Sequence, residues 1–229
     1  MFKSFRTERF GQIYDVVLAA HEERARKQGD RGHGWDHVLL VCGFCIRLSD
    51  EEKTAELAWL AGLVHNNDHF FGKGETGLVH ELTRGQLDLL PPDIPAIQRH
   101  SILDAAIRHQ APKAGTDTIV KIILQDADKL ASLEPNLILI RAGQFYSQIP
   151  AVEIPFLERP NPRGTFHSPS SVLEDLRYCL EWRDHPQFGL RLQLAKEIAA
   201  PWFEEMEAQL QNIRRPFLQA GLWPPLEDA

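Results

Sequence analysis

The segment LAWLAGLVHNNDHFF, residues 57–71, passes abruptly from apolar to polar. From Leu57 to Val64 eight residues run without a polar side chain, and then His65, Asn66, Asn67, Asp68 and His69 arrive together. An apolar run entered through Ser49-Asp50-Glu51-Glu52 predicts a helix, with Ser49 as N-cap and Glu52 at the capping-box spacing. A helix apolar all round its surface is buried, so His65 is expected to emerge at the end of a core helix. Ala61 and Gly62 lie four and three residues before it, small enough to admit another element closely. A buried polar group left unpaired costs about 1–3 kcal/mol. The polar cluster therefore needs partners or a metal ion.

Further helices follow on either side. Phe10, Ile13, Tyr14, Val17, Leu18 and His21 recur at helical spacing, predicting a helix that ends near Gly29. A loop of Gly29, Asp30, Arg31, Gly32, His33 and Gly34 leads into Trp35-Asp36-His37, and Val38 to Leu48 reads as a second buried helix. Beyond the glycines at 72, 74 and 77, a helix is predicted from about Val79 to Leu90, closed by Pro91, Pro92 and Pro95. Another runs from Ile97 to Gln110, with Ile102, Ala105, Ala106 and His109 on one stripe, and stops before Pro112. Thr118 to Leu133 is strongly apolar and carries Gln125-Asp126-Ala127-Asp128-Lys129-Leu130. Five prolines between Gln148 and Pro169 predict a loop or lid over about 148–169. Ser170 or Ser171 caps a helix running to about Trp182. The final helix keeps a 3.6-residue period from Leu194 to Phe217, with Pro201 inside it predicting a kink. No strand-type alternation, internal repeat or low-complexity tract interrupts this pattern. The expected fold is an all-α single-domain helical bundle over residues 1–229, with its core at about 10–215.

Bulk properties narrow the function classes. The chain of 229 residues is 43% hydrophobic and 25% charged, with net charge −7, ordinary values for a globular domain. Its lysines and arginines are scattered, which argues against a nucleic-acid polymer as partner. No apolar run approaches the ~20 residues that span a bilayer, and the opening MFKSFRTERFGQIYDVV lacks the apolar core of a signal peptide. Three cysteines make no disulfide framework, so the expected compartment is the cytoplasm. The ten histidines are the unusual feature.

Four polar positions stand at the ends of, or inside, apolar helices: His37, His65 with Asn66, His109, and Asp128. Imidazole nitrogens and carboxylate oxygens are the usual protein ligands of divalent transition metals. In order and local context these residues resemble the HD-domain metal-dependent phosphohydrolases, whose signature is H…HD…D. HGWDHV (33–38) is similar to the segment with the family's first metal-binding His. AGLVHN (61–66) is similar to that with its His-Asp dyad, and QDADKL (125–130) to that with its last Asp. LAKEIA (194–199) resembles the tail of a bacterial single-domain subgroup. The resemblance spans roughly residues 10–215.

It implies a helical bundle around a divalent metal ion (Mn, Ni, Co, Zn, Fe or Mg) and a small phosphorylated substrate, with nucleotides among the candidates. The ligand positions fall on His37, His65, Asn66 and Asp128. Asp126 competes for the last, but Asp128 directly precedes Lys129-Leu130, as the family's Asp precedes a basic residue and Leu. Asp68 is the candidate for handling the proton, His33 and His109 for holding phosphate or helping the leaving group, and Lys129 for offsetting phosphate charge. The sequence departs from the pattern twice. Asn66 stands where the family has Asp, and Leu40 where an Arg often lies. An Asn can ligate through its carbonyl oxygen but removes a negative charge, and Asp68 could swing in as a substitute carboxylate. The alternative is a degenerate HD scaffold that binds a ligand or protein partner without hydrolysis.

Other readings carry less. His65 and His69 have the spacing of a zinc-protease helix, but Asn66 replaces the required Glu. Cys42-Gly-Phe-Cys45 lies inside an apolar helix with no second pair, and reads as two buried small residues rather than a redox or zinc motif. His80, His100, His167 and His185 are expected at the solvent face, and Trp35, Trp59 and Trp202 in the core.

Overall fold

The computed structural model describes residues 9–28, 33–71, 74–145, 148–165 and 168–222. Its regular elements are helical: α1 (Gly11–Gln28), α2 (Trp35–Arg47), α3 (Glu52–Val64), α4 (Thr76–Leu87), α5 (Ala96–Ile107), α6 (Ile119–Leu133), α7 (Pro135–Phe145), α8 (Val172–Glu181) and α9 (Gln193–Gln219). Among the described residues, extended pairing is confined to an isolated bridge between Thr165 and Ser168. The fold is all-α, as the apolar periodicity predicts.

α3 lies at the centre, against α2, α5 and α6. Every residue from Ala55 to Val64 is buried, because no face of this helix is polar enough to meet water. Gly62 sits at the contact with α2. A Cβ there would come within 3.3 Å of Cys45 Sγ and 3.4 Å of Val41 Cγ1, so the close approach expected at Ala61-Gly62 is made. Cys42 and Cys45 are buried free thiols, and burial pushes both well above the ordinary thiol range. They pack as small apolar residues.

The local expectations need several corrections. The capping box at Ser49 does not form: the Ser49 hydroxyl donates to the Cys45 carbonyl at 2.7 Å, closing α2. Glu51 instead precedes α3, without a side-chain cap. α3 ends at Val64 with His65 emerging beyond it, as expected, but His65–Phe70 then tighten into a 3-10 turn. The fifth helix ends at Ile107, leaving His109 in the turn beyond it. α9 runs on through both Pro201 and Pro216. The sequence reading passed over α7. Its start is marked by Pro135 in the first turn and by the Glu134 carboxylate, which accepts from the Leu137 N–H at 2.7 Å.

Other expectations hold. Thr118 caps α6 by accepting from Lys121 N–H, and Ser171 caps α8. Over its described residues the proline-rich segment is a loop, apart from one 3-10 turn at Ile154–Phe156. It is tied down by Glu174, whose carboxylate accepts the N–H groups of Asn161 (2.9 Å) and Ser170 (2.6 Å). Trp59 is buried in the core, and half-buried Trp35 and Trp202 pack against it. His80 and His100 are exposed, whereas His185 is half-buried and accepts the N–H groups of Gln187 and Phe188. The Gly29–Gly32 part of the first loop, Gly72 and His167 lie outside the described residues.

Candidate metal centre

Helices distant in sequence bring three groups to one point. His37 lies in the first turns of α2, His65 immediately follows α3, and Asp128 lies on α6. His37 Nε2 is 3.1 Å from Asp128 Oδ1, and His65 Nε2 is 3.8 Å from the same oxygen. Their ligand atoms all lie within 4.8 Å of one another. An ion bound at ~2.0–2.2 Å holds neighbouring ligand atoms about 3.0–3.5 Å apart. The two measured separations fit that requirement after a shift of a few tenths of an ångström.

The imidazoles are prepared for the role. His65 Nδ1 donates to the Gly62 carbonyl at 2.7 Å, which leaves Nε2 as the bare nitrogen, buried and with no hydrogen-bond partner among the described residues. Such a bond on the far side of the ring fixes tautomer and orientation in metal-ligating histidines. Burial, reinforced by the fields of His109 and His37, holds the His65 pKa well below the ordinary imidazole value, and Asp128 opposes this only partly. The ring is neutral, the form that binds metal. Asp128 shows the reverse balance. Burial resists its ionisation, but the hydrogen bond with His37 and the fields of His65, His37 and His109 outweigh it and hold the carboxyl well below its usual range. A charged Asp128 carboxylate and a neutral His65 imidazole therefore face one another.

Asp126 does different work. Its carboxylate accepts the N–H groups of Arg191 (2.9 Å) and Leu192 (2.7 Å), which anchors the entry to α9. It does not belong to the converging group. Nearby, Lys121 and Arg191 both pair with Asp117, at 2.7 and 2.5 Å.

The remaining candidates border the centre. His109 is buried, with Nδ1 donating to the Ala106 carbonyl at 2.7 Å and its ring edge-on to His65 at 5.3 Å. Gln125 fixes the turn that carries it by donating to the carbonyls of His109 and Ala111. His33 stands edge-on to His37 at 5.2 Å. Burial, with the fields of His69 and His37, holds the His33 pKa well below its usual value, so it offers a hydrogen bond rather than a charge. Asp68 Oδ2 accepts from Gln110 Nε2 at 3.0 Å, and its side chain is one-third exposed. Lys129 Nζ donates to the Gln125 carbonyl at 3.0 Å. Burial lowers its pKa against the fields of Asp126 and Asp128. Asn66 is buried beside His65, with no partner for its Nδ2 among the described residues.

Two histidines to which the sequence gave no role at the centre join this shell. His69 stacks on His33 with centroids 4.3 Å apart. His21, expected only as part of an apolar stripe, lies edge-on to Phe70 at 5.0 Å. Their available signal was proximity in sequence to Asp68 and to the first helix's buried face, which does not reveal a ring stack.

With the geometry in view, comparison with known proteins is informative at the level of fold. The fold recurs in solved structures. A Lactobacillus plantarum protein from structural genomics superposes with TM-score 0.67 at 16% identity, covering 91% of this chain and 98% of its own. Bacillus subtilis YpgQ, solved in complex with ADP, gives 0.61 at 16% identity, covering 95% and 100%. No family model and no curated protein matches the chain. At such identity the likeness establishes a shared helical fold across nearly the whole chain. No helix among the described residues is long and apolar enough to cross a membrane.

Proposed function

We propose that the protein is a metal-dependent phosphohydrolase of the HD-domain type, acting on a small phosphate ester, with nucleotides the favoured class. One observation carries the reading: His37 Nε2, His65 Nε2 and Asp128 Oδ1, from three separate helical elements, converge to ion-binding separations. The ADP bound to the structurally similar YpgQ supports the nucleotide class. A divalent ion held by these residues would supply Lewis-acid charge and acidify water at the reacting phosphorus.

The chain's own groups do the rest. Asp68 reaches solvent and handles the proton, while its bond from Gln110 fixes its orientation. His109, held through Nδ1 and edge-on to His65, assists the leaving group. His33 donates to phosphate oxygen as a neutral ring, and Lys129 offsets phosphate charge.

A second reading has its own support. Asn66 stands where the HD pattern has a carboxylate, and a site with one fewer negative charge could serve a scaffold that binds a nucleotide without hydrolysing it. The discriminating experiment loads the purified protein with manganese, nickel, cobalt, zinc, iron or magnesium and measures phosphate or pyrophosphate release from a nucleotide panel. One ion per chain and turnover abolished in His37→Ala is the expected result. Metal retention without turnover leaves the binding scaffold, and absence of metal under every loading condition removes the hydrolase reading.

A further inference from the structure

The three ligand groups of the centre are held by unequal means. His65 is fixed through its ring, by the bond from Nδ1 to the Gly62 carbonyl. Asp128 lies within α6, with helical turns on either side. His37 has neither support. Its Nδ1 is buried with no hydrogen-bond partner among the described residues, whereas a metal-ligating histidine ordinarily donates its far N–H to a neighbour. It also stands near the start of α2, where Gly34 is the N-cap and no side chain caps the first turn. Helix ends without such support fray. Something other than the bonds of its own ring must set where His37 stands relative to Asp128.

We propose that Arg141 of α7 is that positioning residue. Its guanidinium joins the two helices that carry His37 and Asp128. Nη2 donates to Asp36 Oδ2 at 2.7 Å, on the residue immediately before His37. Nη1 donates to the Ala131 carbonyl, three residues beyond Asp128 on α6. The residue four beyond Ala131 is Pro135, which has no N–H to complete the helical bond, so this carbonyl takes the guanidinium instead. Arg141 is 9% exposed. A planar fork held out of water fixes the separation of the groups it joins, as a flexible ammonium does not. The strut thus constrains the 3.1 Å between His37 Nε2 and Asp128 Oδ1 from one side chain before the first ligand to one turn past the second. The assignment rests on the metal-binding part of the functional reading above, not on hydrolysis.

The test uses the full-length protein loaded with cobalt(II), whose absorption spectrum reports coordination geometry. Affinity is measured by chelator competition, and the metal-free melting temperature reports folding. Asp36→Ala cuts the strut at its outer end, where the side chain is 64% accessible, and should leave the metal-free melt within about 4 °C of wild type. It should weaken cobalt binding about tenfold, the low end for groups behind metal ligands, and shift the spectrum. Asp36→Asn, which keeps an oxygen for Nη2, should restore most of the affinity. Arg141→Met should lose at least as much, and adding Asp36→Ala to it should cost nothing further, because both changes break one connection. The Asp36 pair decides alone if Arg141→Met does not fold. Wild-type affinity and spectrum in Asp36→Ala, or full additivity in the double variant, overturns the strut while the metal centre stands. Loss confined to Arg141→Met leaves Arg141 as a cap of α6 and overturns the strut likewise. The expected cobalt losses without phosphate release from any nucleotide sink the hydrolase reading and keep the strut. A wild-type protein that binds no cobalt overturns both.

Discussion

Replacing Asp128 by Asn, with Asp126→Asn beside it, separates the roles of two carboxylates two residues apart. An ion present at 100 times its dissociation constant stabilises the folded state by about 2.7 kcal/mol. For a chain of this size, each kcal/mol moves the melting temperature by about 2–4 °C. The wild-type protein should therefore melt about 5–11 °C higher with saturating metal than with chelator. Asp128 Oδ1 is the atom that both imidazoles approach. A hundredfold loss of affinity in Asp128→Asn leaves the ion near its dissociation constant, which is worth about 0.4 kcal/mol and a shift of about 1–2 °C. Asp126→Asn should behave oppositely. It confronts the N–H groups of Arg191 and Leu192 with an amide in place of a carboxylate oxygen, costing about 1–3 kcal/mol. The metal-free melt should fall by about 2–12 °C, while the full metal-induced shift survives. Thermal denaturation by circular dichroism, with and without metal, reads all four quantities. A full metal shift in Asp128→Asn, or its loss in Asp126→Asn, would refute the ligand assignment.

Elemental analysis should find one transition-metal ion per wild-type chain and none in His65→Ala; equal content in the two would exclude His65 from the centre. Asn66→Asp should raise metal affinity about 10–100-fold, the scale on which even residues behind the ligands act, while lowering the metal-free melting temperature, because it adds a second carboxylate to a buried site. Unchanged affinity in a competition titration would place residue 66 outside the coordination sphere. Burial opposes ionisation of Asp117, but its bonds from Lys121, the Ala114 N–H and Arg191 prevail and lower its pKa from 3.8 to about 2. The resulting stabilisation, about 2 kcal/mol, is complete above the unfolded value and disappears as pH falls through the folded one. Urea unfolding should therefore show wild type and Asp117→Asn furthest apart near neutral pH and converging toward pH 2; a gap independent of pH would refute the pairing.

The all-helical fold was legible because its signals are local. The unbroken Leu57–Val64 run, the apolar stripe of the last helix and the caps at Thr118 and Ser171 each act within a few residues. The ligand trio was legible through the order and context of His37, His65 and Asp128, not through any spacing that implies contact. Asp126 and Asp128 could not be separated by burial alone, since both sit in an apolar helix. They lie about 200° apart around it, and only the packed structure says which side meets α2 and which meets Arg191. The His33–His69 stack joins loops 36 residues apart and leaves no local trace. The helix end at Ile107 was misplaced because the tightening into a turn is set by the buried contacts of His109, not by propensity.

Gly62 links two quantities that would otherwise be independent. Its missing side chain sets how near α2 and α3 approach, and its carbonyl sets which way the His65 ring faces. A methyl here would meet Cys45 Sγ at 3.3 Å and require the contact to give by a few tenths of an ångström, and a larger side chain would ask for more. The bite of the centre, and hence the radius of ion it suits, is thus gauged by the thickness of a methyl group that is not there.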